Sequence, residues 1–201
     1  MRKLFSLFAL IAFTGFTTSN IPITEQERKF ALDYIKETRQ FLLDNVKGLS
    51  ETQLNWKPAD SVWSVANCIE HITIAEKGIF DLVQGALKTP ADPSKRAAVK
   101  NTDEGVINIL TDRSFKAKAP ESFQPTGQFG NTQQTLEVYK ERRKNLLDYT
   151  QTTQDDLRNH YLDFPFGKID TYQGLLFLAA HSKRHTLQLI EVKQHPDFPK
   201  K

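Results

Sequence analysis

Apolar residues recur at helical spacing in four long segments, and each segment opens on a cap. Thr24 followed three residues later by Glu27 is a capping box, and Phe30, Ala31, Tyr34, Ile35, Phe41, Leu42 and Val46 then share one stripe that stops near Gly48. The spacing predicts a helix over 24–47. Ser64 caps a second helix running to about Lys88, with Trp63 placed to staple against Cys68, and with Val65, Cys68, Ile69, Ile72, Ala75, Ile79 and Leu82 facing inward. Asn131 with Gln134 opens a third, carried by Leu136, Val138, Tyr139, Leu146, Leu147 and Tyr149 to about Leu157. Asp170 with Gln173 opens the fourth, Thr171 to Glu191, through Leu175, Leu176, Leu178, Ala179, Leu187, Leu189 and Ile190.

The connections read differently. Leu54 to Ser61 is a connector in which Pro58 discourages helix at Lys57, and Leu162 to Ile169 is a turn segment containing Phe164-Pro165-Phe166-Gly167. Thr89 to Gly130 is the least regular stretch, with Pro90, Pro93, Pro120 and Pro125, and with a short helical turn at Ile107 to Leu110. A connection this long implies a crossover between parallel neighbouring helices or a lid over a site. Four long amphipathic helices joined by loops define an all-α protein, a four-helix bundle with a long connection between helices 2 and 3.

Composition adds the leader and the charge. In this chain of 201 residues, Arg2-Lys3 followed by the apolar run Leu4 to Phe16, with Thr17 and Ser19 at cleavage-compatible positions, reads as a signal peptide over 1–19, leaving one domain over 20–201. The run is short for a bilayer span, which needs about 20 residues. The expected mature protein is exported, periplasmic or extracellular, with no stable membrane span after cleavage. With Arg2 and Lys3 gone, the formal charge of +3 falls to +1, which argues against nucleic acid as a partner. A single cysteine, Cys68, excludes an intramolecular disulfide and leaves stability to the core or to a metal.

The candidate chemistry lies in His181-Ser182-Lys183-Arg184-His185. Two histidines four apart on a helix project from one face, one turn from each other, and can share a metal ion given further ligands. The same spacing also suits two ordinary helix histidines, one buried and one exposed. Of the others, His160 lies in a polar connector and His195 beside Pro196, so only His71, on the inward stripe of the second helix, is placed to meet the pair. Glu70, about 100° around the helix from His71, is expected at the surface. Cys68 reads as a buried small hydrophobe. Gln188, Asn67 and Tyr172 can line the site or serve as bundle hydrogen-bonding residues, and Trp56 and Trp63 read as packing residues.

Three stretches carry a family resemblance: Leu54-Asn55-Trp56-Lys57-Pro58, then Trp63-Ser64-Val65-Ala66-Asn67-Cys68-Ile69-Glu70-His71-Ile72, and Phe166-Gly167 through His181-Ser182-Lys183-Arg184-His185 to Ile190. Together they resemble the DinB/YfiT-like superfamily over about Thr24 to Glu191. The resemblance implies a bundle holding one divalent metal, zinc or nickel, on three histidines, which here are His71, His181 and His185. It implies most simply a metal-dependent hydrolase acting on a small-molecule substrate. A thiol-dependent transferase and a noncatalytic metal-stabilised ligand-binding bundle are the alternatives. No position matches a catalytic residue beyond the ligands, and nothing in the sequence excludes a homodimer. A zincin protease is excluded, because Ser182 stands where that motif places its glutamate.

Overall fold

A computed structural model describes residues 21–116 and 118–200, so the leader expected over 1–19 lies outside the described residues. The four long helices are α1 (Glu25–Val46), α3 (Val65–Ala86), α5 (Thr132–Thr152) and α6 (Thr171–Lys193), and two short ones, α2 (Glu51–Asn55) and α4 (Asp103–Thr111), lie in the connections. Each long helix starts with a reciprocal capping box, Thr24/Glu27, Ser64/Asn67, Asn131/Gln134 and Asp170/Gln173, which satisfies two otherwise orphaned backbone donors.

Contacts between elements fix the topology. α6 packs on α1, α3 and α4, and α5 packs on α1 and α3, so α1 and α3 stand on opposite sides of the bundle. α1 and α6 run parallel: Tyr172 Oη donates to the Glu27 carbonyl at 2.8 Å near their N-termini, and Lys193 Nζ donates to the Asn45 carbonyl at 2.6 Å near their C-termini. α3 and α5 are parallel too, with Glu76 beside Arg143 and the Phe80 ring 5.2 Å from that of Tyr149. Parallel neighbours require the chain to return along the bundle between them. The 87–131 connection does this, laying α4 against α6 on the way. Of the two readings that the length of that connection left open, a crossover or a lid, the crossover is present, and the turn expected at 107–110 extends to the whole of α4.

Every residue of α6 from Thr171 to Ala180 is buried. A helix apolar on all sides has to be covered on all sides. The bundle supplies part of the cover, and α4 with a β-hairpin supplies the rest, the hairpin pairing β1 (Tyr161–Phe164) antiparallel with β2 (Gly167–Asp170). Packing against α3 is close enough to need a glycine, since a Cβ on Gly174 would sit 2.7 Å from Val83 Cγ2.

At the N-terminal end of α6 an ionic hub joins four segments. The Arg158 guanidinium donates to Glu27 of α1 (2.6 Å), Asp103 of α4 (2.7 Å) and Asp170, the cap of α6 (2.9 Å), and lies over the Tyr172 ring at 4.0 Å. Arg96 also pairs with Asp170. Midway along the bundle, Arg143 and Glu76 form a buried ion pair at 2.7 Å, with Arg143 also donating to Thr38 Oγ1 at 3.0 Å. Burial pushes the Glu76 carboxyl up, to about 7, against the pull of Arg143.

Several local expectations are corrected. The third helix ends at Thr152 rather than near Leu157, because Thr153 turns out of the helix (φ −57°, ψ 139°) and the Asp155 carboxylate accepts from Tyr149 Oη and Thr153 Oγ1. Leu157 is buried, and its carbonyl accepts from Thr171 Oγ1 and the Tyr172 N–H. The turn segment 162–169 is most of the hairpin, with Gly167 at φ 124° beyond the Pro165-Phe166 turn. The connector contains the end of α2, opened by a Ser50/Gln53 capping box. Phe30 and Leu82, expected inward, are 40% and 49% exposed, and Val83 takes the inward place beside Leu82.

Removing the hub is expected to be costly. Arg158→Met leaves Asp170 and its neighbours short of a partner and should lower unfolding free energy by about 3 kcal/mol in urea titrations. Lys29→Ala, which removes an exposed i,i+4 pair with Asp33, should change it by less than about 0.5 kcal/mol. The Glu76 carboxyl makes its own contribution to pH dependence. Its folded value lies above the ordinary 4.5, so that contribution is fully present below 4.5 and is lost as pH rises through about 7. Glu76→Gln should flatten the fall in metal-free thermal stability across that window relative to the parent chain.

Candidate metal centre

The cap at Ser64 fixes where α3 begins and so places His71 in the second turn, pointing into the bundle, where it is 2% exposed. α6 runs antiparallel to α3 and brings His181 and His185, on successive turns of one face, against it. The three imidazoles each offer a nitrogen, and these nitrogens lie within 4.8 Å of one another. The expected trio is thus brought together from two helices.

The hydrogen bonds decide which nitrogens are free. His71 Nδ1 donates to the Phe123 carbonyl at 2.7 Å, and His185 Nδ1 donates to Gln188 Oε1 at 2.8 Å. Carbonyl oxygens only accept, so both Nδ1 atoms carry hydrogen and both neutral rings present a lone pair at Nε2. Those two Nε2 atoms face each other at 3.1 Å. Opposed lone pairs repel unless a cation lies between or beside them, so the donor set fits a metal ion. Outer partners on the far ring nitrogen are also what hold ligating histidines in orientation.

Electrostatics agree. Burial holds the His71 imidazole below its ordinary value, with the Phe123 carbonyl opposing, and drives His185 down to about 3, helped by the neighbouring His71. His181 is held well below 6.5 by burial and then by the other two rings. All three are neutral at neutral pH, the form that ligates metal. Aromatic rings wall the cluster. Trp63 lies 4.8 Å from the His71 ring and 6.1 Å from that of His185, and Phe177 stacks 6.2 Å from His181 and continues into Phe164 and Phe166 of the hairpin.

Other residues singled out in the sequence fall in several places. Gln188 borders the site through His185. Asn67 does not, because its amide accepts the Ser64 N–H in the capping box. Tyr172 sits in the hub at the N-terminal end of α6. Trp56 packs on His195 and Phe198, while Trp63 packs directly on the histidines. His160 donates from Nδ1 to the Ala86 carbonyl at 3.2 Å. Cys68 is buried as expected, and burial pushes its thiol up to about 12. Glu70 is a correction: it is 7% exposed, and its Oε1 accepts three backbone N–H groups from residues 126–128. Nothing in the sequence points to the Phe123 carbonyl, since a backbone acceptor has no side-chain signature. The only hint at Glu70 was a carboxylate set among Cys68, Ile69 and Ile72.

A helical bundle with a three-histidine cluster formed by its second and fourth long helices is a recognisable class. The model of the DinB superfamily matches residues 34–189, and the chain belongs to that superfamily. It is 27% identical over 164 residues to YuaE of Bacillus subtilis (strain 168), a protein of uncharacterised function, a match covering 81% of this chain and 97% of YuaE. Its fold is similar to that of YfiT from Bacillus subtilis, with TM-score 0.57 at 15% identity over 86% of this chain and 89% of YfiT. YfiT is described as a probable metal-dependent hydrolase with an unusual four-helix bundle topology.

Buried with a raised pKa, the Cys68 thiol is expected to be inert in the native protein. A disulfide reagent at pH 8 should leave it unmodified over a period in which the denatured chain reacts completely.

Proposed function

We propose that this is an exported protein that binds one divalent metal ion, zinc or nickel, through His71, His181 and His185 and uses it in a hydrolytic reaction on a small molecule. The observation that carries the reading is the set of three ring nitrogens within 4.8 Å of one another, with His71 and His185 Nε2 at 3.1 Å and both Nδ1 atoms hydrogen-bonded elsewhere. Neutral imidazoles suit zinc and nickel. An ion held by His71, His181 and His185 would supply a Lewis acid for hydrolysis.

The chain's own groups do the rest. The Phe123 carbonyl and Gln188 fix the ring tautomers, and Trp63 and Phe177 keep bulk water from the faces they cover. Ser182, which follows His181, is buried and meets Tyr139 Oη at 3.4 Å, so it is not poised as a base. The description of YfiT supports hydrolysis as the type of chemistry. Export rests on the Arg2-Lys3 start, the apolar run Leu4 to Phe16 and the small residues after it; among the described residues, no helix is long and apolar enough to cross a membrane.

The test is metal analysis of tag-free protein beside a His181→Ala/His185→Ala variant. About one equivalent of zinc or nickel is expected in the parent and none in the variant. Adding the ion at 100 times its Kd should raise the parent's stability by about 2.7 kcal/mol and leave the variant unchanged. No metal in either protein after soaking would overturn the metal reading. Stoichiometric metal without turnover of any ester, amide or phosphoester probe would leave a noncatalytic metal-binding bundle.

A further inference from the structure

Glu70 has no part in the ligand set, yet it is placed unlike a surface carboxylate. Its Oε1 accepts from three successive backbone amides, Thr126 at 3.1 Å, Gly127 at 2.7 Å and Gln128 at 2.9 Å. Successive N–H groups converging on one oxygen form an anion-binding nest, and Gly127 at φ +79° supplies the left-handed turn that aims them together. The segment so held begins at Phe123, whose carbonyl accepts from His71 Nδ1. The Phe123 ring is seated on the same helix at Gly78, where a Cβ would meet ring atom Cε1 at 2.5 Å. Two points on α3, Glu70 just before His71 and Gly78 two turns after it, therefore anchor the strap that supplies the histidine's outer hydrogen bond. Adjacent helix residues diverge by about 100°, so Glu70 cannot reach the His71 ring itself and works through the strap.

We propose that Glu70 is a positioning residue of the metal centre: by clasping the amides of residues 126–128 it keeps the Phe123 carbonyl on His71 and so sets the tautomer and aim of His71 Nε2. The proposal rests on the three-histidine reading. Loss of an outer-shell partner of this kind typically weakens metal binding about 10- to 100-fold.

The experiment uses cobalt(II) as the probe, with the mature parent protein, Glu70→Ala and Glu70→Gln, read by chelator competition and by the visible cobalt spectrum. ¹⁵N NMR of the histidine side chains in the metal-free state is recorded in parallel. Glu70→Ala is expected to bind cobalt at least about 10-fold more weakly with an altered spectrum, and its His71 to lose the pure Nδ1–H tautomer. Glu70→Gln, whose amide oxygen still accepts, should stay nearer the parent in both readouts. A Glu70→Ala protein that is less stable but keeps the parent's cobalt affinity and His71 tautomer overturns the proposal, because a merely structural clasp would move only stability. If Glu70→Ala does not fold, Glu70→Asp takes its place, with its shorter arm drawing the strap off His71, and is read by the same two outcomes. If the parent itself binds no cobalt, the three-histidine reading fails separately, and the metal-free His71 tautomer alone decides whether Glu70 positions that ring.

Discussion

The first half of α6, Thr171 to Ala180, has no face left to water, and covering such a helix constrains everything around it. Two bundle neighbours, α1 and α3, cannot enclose it, so α4 and the hairpin are drawn in from the connections. α3 and α5 are parallel neighbours with a long return between them. The return also carries Phe123 and the 126–128 amides past the start of α3. The α4 part of the cover that the apolar half of α6 demands and the strap on His71 of α3 thus belong to one continuous piece of chain.

The two ends of α6 divide the labour. At its N-terminus, Arg158 pairs with Glu27, Asp103 and Asp170 and ties α1 and α4 to the start of α6 by charge. In its second half, His181 and His185, with His71 of α3, are imidazoles that burial keeps below their ordinary pKa, so they add no ion to the interior. The Arg143–Glu76 pair lies between, one residue beyond Arg142, whose guanidinium reaches the Thr73 carbonyl.

How much of this was legible depends on whether the information lay in side chains. The four caps are short side-chain motifs, and all four stand where Thr24, Ser64, Asn131 and Asp170 place them. The inward stripe of α3 led to His71, which packs against the pair on α6. The end of α5 was missed because Asp155 and Thr153 stop it by pairing with Tyr149 and each other, which periodicity does not register. Phe30 and Leu82 sit on the margins of their stripes, and only the positions of neighbouring helices decide where a stripe ends. Glu70 was misplaced because helical angle alone says where a residue points relative to its own axis, and the long connection that meets it there had no predicted path.

The separation of the ligands along the chain has its own consequence. His71 and His185 are 114 residues apart, and bringing them together requires α3 and α6 to be docked with the crossover already in place. His181 and His185 alone can form as soon as one helix does, but that half-site lacks the third nitrogen. Bringing all three nitrogens within reach of one another therefore requires completed assembly rather than local helix formation. In this architecture the histidine cluster exists only in a chain whose last long helix has found its second.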